Sequence, residues 1–334
     1  MIEILFFSLL LFLGIVTIVS ENRDILRYIY IPFSILFILI MRLNGFEWGG
    51  YQKDMITYSI EMKSVSLGFY YLREFVFWFG LRFAYFITNS EMFSIILLDF
   101  VWIYYLLRTI NINEYNKLGR GLIVVLLTSF PFLFGYQNIY RQFYATIILL
   151  YSYSILDSRP VKSFRIFLIS IFIHNLTVFM LPVFLIRRCY RFGVGDRLLI
   201  SSFISFLFVV SLPLLLFLKS SAVTEFDFSL LYLLIFLMFF IYSLYRFRQN
   251  IYFLINNGPS LWPMLILMGG YIVFQQEMIA ERLGMMFIIF LLYDLYSYSN
   301  TLKSRFSRLY LRLFILFLFT IPVFLFDSAM KFLL

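Results

Sequence analysis

The chain has 334 residues, of which 63% are hydrophobic, 22% aromatic and only 13% charged. Soluble domains average about 25% charged residues, so this composition excludes an ordinary soluble enzyme. The net charge of +9 does not indicate a nucleic-acid partner, because Lys and Arg collect in short loops on one face of a membrane. We predict an all-α, polytopic transmembrane protein that forms a single integral membrane domain over residues 1–334.

Apolar segments recur along the whole chain, each near the roughly 20 residues needed to cross a bilayer. They predict about 10–12 spans. In chain order, the candidate spans lie at residues 3–19, 28–43, 91–108, 120–137, 140–156, 164–186, 198–218, 229–245, 260–276, 281–298 and 309–326. We expect the prolines inside them, such as Pro131, to kink the helices locally.

The basic residues divide the loops between these spans into two sets. One set holds 18 of the 27 Lys and Arg residues, and the positive-inside rule makes these loops cytoplasmic. The other basic residues are Arg42, Lys53, Lys63, Arg73, Arg82, Arg141, Lys219, Arg282 and Lys331. They belong to the external face, so we expect Arg141 and Arg282 to open their helices on the outer side of the membrane.

Residues 164–186 must bend for the loops to alternate in this way. This apolar stretch leaves one basic loop and arrives at another, so a single straight crossing does not fit. We predict a broken helical hairpin whose tip, near His174 and Asn175, points outward. Non-helical backbone at that depth is tolerated where protein or a water-filled cavity surrounds it.

An external region is predicted over residues 44–90. Its first part, residues 44–66, is the longest polar stretch of the chain and the best candidate for a loop that faces substrate. Its second part, near residues 67–88, is apolar and aromatic but carries Arg73, Glu74 and Arg82. A full crossing there would invert every later loop, so we predict an interfacial or re-entrant segment.

Arg141 is an ionisable residue at membrane depth, where charges are expensive and usually mark a site or a pathway. It follows Tyr140 and precedes Gln142 at the outer end of a predicted span. Its guanidinium presents several donors in a fixed geometry, which suits a diphosphate. The alternative is an arginine that reaches up to lipid headgroups.

Two further sites carry charge in apolar surroundings. Glu281 and Arg282 open a later span, and adjacent residues do not share a helix face, so Arg282 can point inward while Glu281 braces it or forms hydrogen bonds elsewhere. A mutual salt bridge or a helix-capping role for Glu281 is the alternative. His174 is the single histidine and a candidate general base. A hydrogen-bonded structural histidine is the other interpretation, and one histidine with one cysteine argues against a zinc site.

The external loop supplies carboxylates beside aromatic rings. Glu47 and Asp54 lie near Trp48 and Tyr51, and aromatic faces beside carboxylates suit a carbohydrate. An interfacial aromatic belt would have much the same composition. Asp99 is a further acid inside a predicted span, and we expect it to pair with a residue of a neighbouring helix.

The order of these motifs resembles the EpsG branch of the Wzy-type polysaccharide polymerases over about residues 40–300. The motifs are Arg42 followed by Glu47-Trp48-Gly-Gly-Tyr51, then Tyr140-Arg141-Gln142-Phe-Tyr-Ala145, Ile171-Phe-Ile-His174-Asn175 and Ala280-Glu281-Arg282-Leu283. These polymerases are multispan proteins of the bacterial inner membrane. Each motif is short, and their succession is more specific than any one of them.

The resemblance implies polymerisation of undecaprenyl-diphosphate-linked oligosaccharide repeat units, as for O-antigen, capsule or exopolysaccharide, with the active site facing the periplasm or exterior. Arg141 and Arg282 would hold the diphosphate and stabilise the leaving group. His174 would deprotonate or orient the acceptor hydroxyl. Substrate contacts would come from Arg42, Glu47, Trp48, Tyr51, Asp54, Tyr140, Gln142 and Glu281. No nucleotide sugar, metal or other cofactor is required, and a chain-length regulator protein is a candidate partner.

The chain departs from the family pattern in its first loop. The family often has Asp before the Trp or Tyr, where this chain has Glu47, and an acid before the next aromatic stretch, where this chain has Val65-Ser66-Leu67-Gly68. Glu47 and Asp54 therefore compete for the role of the acceptor-side acid. The alternative functions are a lipid-linked oligosaccharide flippase or other transporter, an O-antigen ligase, and a polyprenyl-phosphate-sugar glycosyltransferase.

Overall fold

The computed structural model describes residues 2–47, 53–64, 72, 74–114, 121–188, 193–216, 228–246, 261–325 and 333. Every regular element in those ranges is helical, which confirms the all-α prediction. The chain divides into two compact units, one of Met1–Asn175 with Leu295–Leu334 and one of Leu176–Asp294. The single membrane domain expected from the sequence stays a prediction.

The first unit contains most of the described helices. They are α1 (Ile2–Ser20), a π-helical turn (Ile25–Tyr30) that runs into α2 (Ile31–Glu47), α3 (Lys53–Lys63), α4 (Phe75–Thr88), α5 (Glu91–Glu114), α6 (Leu122–Thr128), α7 (Phe130–Gln137), α8 (Tyr140–Ser154) and α9 (Pro160–Ile173). These bounds lie within a few residues of most of the predicted spans. Much of the predicted polar loop at residues 44–66 is instead helical, because α2 runs on to Glu47 and α3 follows.

The second unit begins where α9 has ended. Its elements are most of a 3-10 turn (Asn175–Met180), α10 (Leu181–Arg188), α11 (Val194–Leu216), α12 (Ser229–Arg246), α13 (Leu261–Val273) and most of α14 (Glu277–Ser299). Within this unit α13 packs against α10, α11 and α12. The last helix, α15 (Arg305–Leu325), belongs to the first unit and packs against α1, α6 and α7.

The helices and their surfaces are those of a multi-pass membrane protein. Glu3–Ser20, Ile25–Leu43, Glu91–Ile110 and Arg305–Leu325 are long and apolar enough to cross a bilayer. Large apolar side chains stand exposed, including Phe86 at 79% and Phe306 at 78%. So much exposed apolar surface is unfavourable in water, whereas contact with lipid tails accommodates it. The orientation of the chain in the membrane stays a prediction.

The predicted span 120–137 is two short helices instead of one. Ser129 is extended, with φ −74° and ψ 146°, and separates α6 from α7. Pro131 occupies the first turn of α7, where its missing N–H costs nothing. The kink expected at Pro131 is therefore a full break of the helix at Ser129, two residues earlier.

Helix α8 is the centre of the first unit. Every side chain from Gln142 to Tyr153 is buried, and the helix packs against α5, α7 and α9. A helix that is apolar on all sides is buried in the core of a protein. Helix α4 in turn packs on α3, α5 and α9. This packing places the first turn of α8, with Arg141, beside the start of α4 and the end of α9.

Candidate functional site

Arg141 forms a close ion pair with Glu74. Its Nη1 lies 2.6 Å from Oε2 of Glu74, and the side chains are 17% and 3% exposed. Glu74 directly precedes α4, but its carboxylate makes no capping bond to that helix. It is directed towards Arg141 instead. Loss of either partner would leave the other charge largely buried and without compensation, which destabilises a protein.

The end of α9 brings a second group to the same carboxylate. The backbone of His174 is extended, with φ −153° and ψ 122°. Its backbone N–H donates to the Ser170 carbonyl, which is the last hydrogen bond of α9. The next residue, Asn175, donates its backbone N–H to Oε1 of Glu74 at 3.4 Å. Nδ1 of His174 lies 3.9 Å from that oxygen. The helix break predicted near His174 is confirmed, and it brings His174 and Arg141 to one carboxylate.

Aromatic rings surround the Arg141 guanidinium. Its carbon lies 4.9 Å from the ring centre of Trp78 and 5.7 Å from that of Tyr58. Trp78 is one helical turn after Glu74, so the first turn of α4 supplies the ring and the residue directly before that helix supplies the carboxylate. Cation–π attraction and the ion pair together restrict the orientation of the guanidinium.

A second polar cluster, centred on Asp99 of α5, lies beneath the first turn of α8. Oδ1 of Asp99 accepts from Tyr140 Oη at 2.8 Å and from Trp102 Nε1 at 2.8 Å. Arg42 of α2 donates to both oxygens, from Nε at 2.8 Å and from Nη2 at 3.1 Å. The pairing expected for Asp99 is confirmed. Because Tyr140 precedes Arg141, this cluster fixes the start of α8 from inside the protein.

Arg42 is fully buried, and its guanidinium stacks on two rings of the same cluster. The ring centres of Tyr136 and Tyr140 lie 4.1 and 4.9 Å from its central carbon. These contacts favour a structural role for Arg42, and the substrate contact implied by the resemblance stays a prediction. Gln142 is likewise buried, on the turn of α8 that carries Arg141.

Glu281 and Arg282 lie in the second unit, one turn inside α14. The helix begins at Glu277, not at Glu281 as the sequence suggested, because Gln275 adopts a left-handed φ of 55° that ends the preceding turn. Glu277 is therefore the acid of the first turn. Glu281 is buried and Arg282 partly exposed. The role that the resemblance implies for Arg282, holding the diphosphate together with Arg141, stays a prediction.

The aromatic loop of the resemblance falls mainly outside the described residues. This applies to Trp48 and Tyr51. Glu47 ends α2 and Asp54 lies in the first turn of α3, but their side chains are not among the described ones. Their substrate contacts stay predictions.

Sequence reasoning noted Glu74 but did not select it as a site residue. The usable signal was the one that selected Arg141, an ionisable group beside an apolar and aromatic run. Glu74 also stands directly before the aromatic residues that begin at Phe75. The resemblance predicts an acid before the second aromatic stretch of the external region. Residues 65–68 contain none, whereas Glu74 occupies a position of this kind. Glu74 thus joins Glu47 and Asp54 as a candidate acceptor-side acid.

Comparison with protein families matches residues 28–332 to the EpsG family. No curated protein and no solved structure matches the chain. The match covers nearly the whole sequence and includes all the residues of both polar clusters. EpsG is a family of Wzy-type polymerases, so a polysaccharide polymerase-type role follows from membership. The chain, a multi-pass helical membrane protein, belongs to the EpsG family.

Proposed function

We propose that this protein polymerises undecaprenyl-diphosphate-linked oligosaccharide repeat units at the external face of the bacterial inner membrane. The observation that carries the proposal is the match to the EpsG family over residues 28–332. The cluster of Arg141, Glu74 and His174 supports it, because an arginine and a potential base adjoin one carboxylate. Such a combination suits transfer of a glycan from a diphosphate to a hydroxyl.

In this reaction Arg141 binds the diphosphate of the growing chain. Its guanidinium suits phosphate oxygens, and its contacts with Glu74 and Trp78 hold it in one orientation. Charge that develops on the leaving diphosphate is stabilised by donors already in place. Arg282 contributes a second guanidinium, and His174 accepts the proton of the acceptor hydroxyl.

Deletion followed by complementation tests this function. We expect the deletion strain to carry single repeat units, visible as one short band when surface polysaccharide is separated on a gel. The wild-type gene should restore a ladder, whereas Arg141→Ala or Arg282→Ala should not, because each removes a diphosphate ligand. Arg108→Ala is the matched control, since Arg108 contacts the exposed Tyr104 on α5 and should leave the ladder intact.

The surface gel, combined with analysis of the lipid-linked glycans on each face of the membrane, separates the proposed function from its alternatives. An unchanged ladder in the deletion strain would contradict polymerisation. Repeat units that remain on the cytoplasmic side would indicate a flippase. Full-length polymer that stays on its lipid carrier would indicate a ligase. Loss of a single sugar from each repeat unit would indicate a polyprenyl-phosphate-sugar glycosyltransferase.

A further inference from the structure

The carboxylate of Glu74 divides its two oxygens between two different elements. Oε2 contacts Arg141 of α8, whereas Oε1 faces the end of α9, where it accepts the N–H of Asn175 and lies 3.9 Å from Nδ1 of His174. The side chain is only 3% exposed. The ion pair with Arg141 accounts for Oε2 but not for the position of Oε1.

We propose that Glu74 is the positioning residue of His174, and the proposal rests on the polymerase function above. The carboxylate holds a proton on Nδ1 and thereby leaves Nε2 as the acceptor for the hydroxyl of the incoming unit. A carboxylate that orients a histidine in this way also stabilises the imidazolium that forms during the reaction. At 3.9 Å the two atoms are outside hydrogen-bond distance, and catalytic hydrogen bonds that are long in an unliganded protein shorten in the Michaelis complex.

The backbone at the end of α9 explains why this pair can form. His174 is extended while Ile173 is still helical, so the chain turns and directs the N–H of Asn175 to Oε1. That hydrogen bond fixes the carboxylate oxygen that faces the imidazole. Arg141 fixes the other oxygen, so the carboxylate has little freedom to rotate. Preorganisation of this kind is what a positioning residue supplies.

The reaction that this arrangement supports is transfer of the growing glycan from its diphosphate to the acceptor hydroxyl. The acceptor hydroxyl gives its proton to Nε2 of His174 while its oxygen forms a bond to the anomeric carbon of the growing chain. The bond between that carbon and the diphosphate oxygen breaks, and the diphosphate leaves with the electron pair. The imidazolium then releases its proton to water, and neither an oxidant nor a reductant takes part.

A double-mutant cycle on the purified full-length protein in lipid nanodiscs tests the proposal. The probe is the lipid-linked single repeat unit extracted from the deletion strain, and kcat and KM are measured for wild type, Glu74→Gln, His174→Ala and the double variant. We expect Glu74→Gln to lower kcat about 100-fold or more. In the His174→Ala background the same change should alter kcat little, because residues that act as a unit are not additive.

Two results would overturn the proposal. One is a Glu74→Gln loss that is as large without His174 as with it, since Glu74 would then act through Arg141 or through folding alone. The other is wild-type kcat in His174→Ala. A rise in KM for Glu74→Gln is expected separately, because Arg141 loses its partner. A wild-type protein that does not polymerise the extracted units would instead refute the proposed function.

Controls keep a folding defect apart from a catalytic one. Glu91→Gln changes the same residue type in the pair of Glu91 with Lys63, where both partners are partly exposed, and should leave kcat at the wild-type value. Glu74→Asp is the second variant if Glu74→Gln does not accumulate. Aspartate keeps the negative charge but, being one methylene shorter, places it farther from His174, so kcat should fall about tenfold or more. In the His174→Ala background this substitution too should leave kcat unchanged.

Discussion

Asp99 and Arg42 show what a buried ion pair does for a single turn of helix. Both side chains are at most 1% exposed, and Asp99 also accepts from Tyr140 and Trp102. A buried pair of this kind stabilises little compared with an apolar substitute, but the loss of one partner leaves a charge buried without compensation. The start of α8 depends on both partners.

We expect Asp99→Asn to lower the free energy of unfolding by about 3–5 kcal/mol, because the Arg42 guanidinium then lacks its counter-charge. A thermal-unfolding midpoint of the detergent-solubilised protein measures this loss. Lys63→Met is the control and should change the midpoint little, since its ion pair with Glu91 is half exposed. The double variant Arg42→Met with Asp99→Leu should recover part of the loss. An Asp99→Asn midpoint equal to that of wild type would contradict this account.

At this scale the sequence predicted that Asp99 pairs with a neighbouring helix but not with which residue. Its partner, Arg42, is 57 positions away, and the sequence contains no measure of that distance in space. Glu74 was missed for the same reason. An acid at the edge of an apolar run can face lipid headgroups, a cavity or another charge. For Glu74 the choice is made by the packing of α4, α8 and α9, which the sequence does not give.

The helices themselves were largely predictable, because runs of apolar residues set their length and existence. Breaks were less so. The break at His174 was predicted from the charges of the flanking loops, whereas the break at Ser129 was expected only as a kink at Pro131. Helix α3 was assigned to a polar loop because its pattern is not apolar, and packing against α4 stabilises it nonetheless.

Two adjacent glycines of α13 provide a test of helix packing in the second unit. A Cβ at Gly270 would lie 2.6 Å from both methyl groups of Val209 in α11, whereas a Cβ at Gly269 would meet nothing within 4 Å. Gly270→Ala should therefore destabilise the protein by about 1–3 kcal/mol through overpacking. Gly269→Ala should be neutral or stabilise it by up to about 1 kcal/mol, since Ala favours a helix.

Thermal unfolding of the two variants in the same detergent makes this comparison. Val209→Ala in the Gly270→Ala background should restore part of the stability, because it removes both methyl groups. Equal midpoints for the two glycine variants would show that α11 and α13 do not approach closely at Gly270.

The whole molecule consists of two compact units, and the proposed residues are divided between them. Arg141 and His174 belong to the first unit and Arg282 to the second. The sequence joined all three by means of a family resemblance, and the family is confirmed. The fold by itself does not determine which face of the protein is cytoplasmic. That orientation is predicted from the distribution of basic residues among the loops.

The single cysteine tests that direction without engineering. Cys189 lies in the loop predicted to be cytoplasmic, so a membrane-impermeant maleimide added to spheroplasts should leave it unlabelled, whereas a permeant one should label it. Cys189→Ser combined with Lys63→Cys is the matched variant. Its thiol, at a position half exposed and predicted to be external, should react with the impermeant reagent. The reverse labelling pattern would show that the protein has the opposite orientation in the membrane.

The pair of Arg42 and Asp99 also has a consequence for biogenesis. Asp99 lies near the middle of a segment that is long and apolar enough to insert, where an acid costs about 2.5–3.5 kcal/mol in a lone helix, whereas Arg42 lies one residue from the end of its segment. Helix α5 is therefore unstable in lipid until α2 has joined it, although α3 and α4 are synthesised between them. A chain in which the two helices fail to join keeps the Asp99 charge in contact with hydrocarbon. Such a defect is a mark by which membrane proteases can tell an unfinished molecule from a mature one.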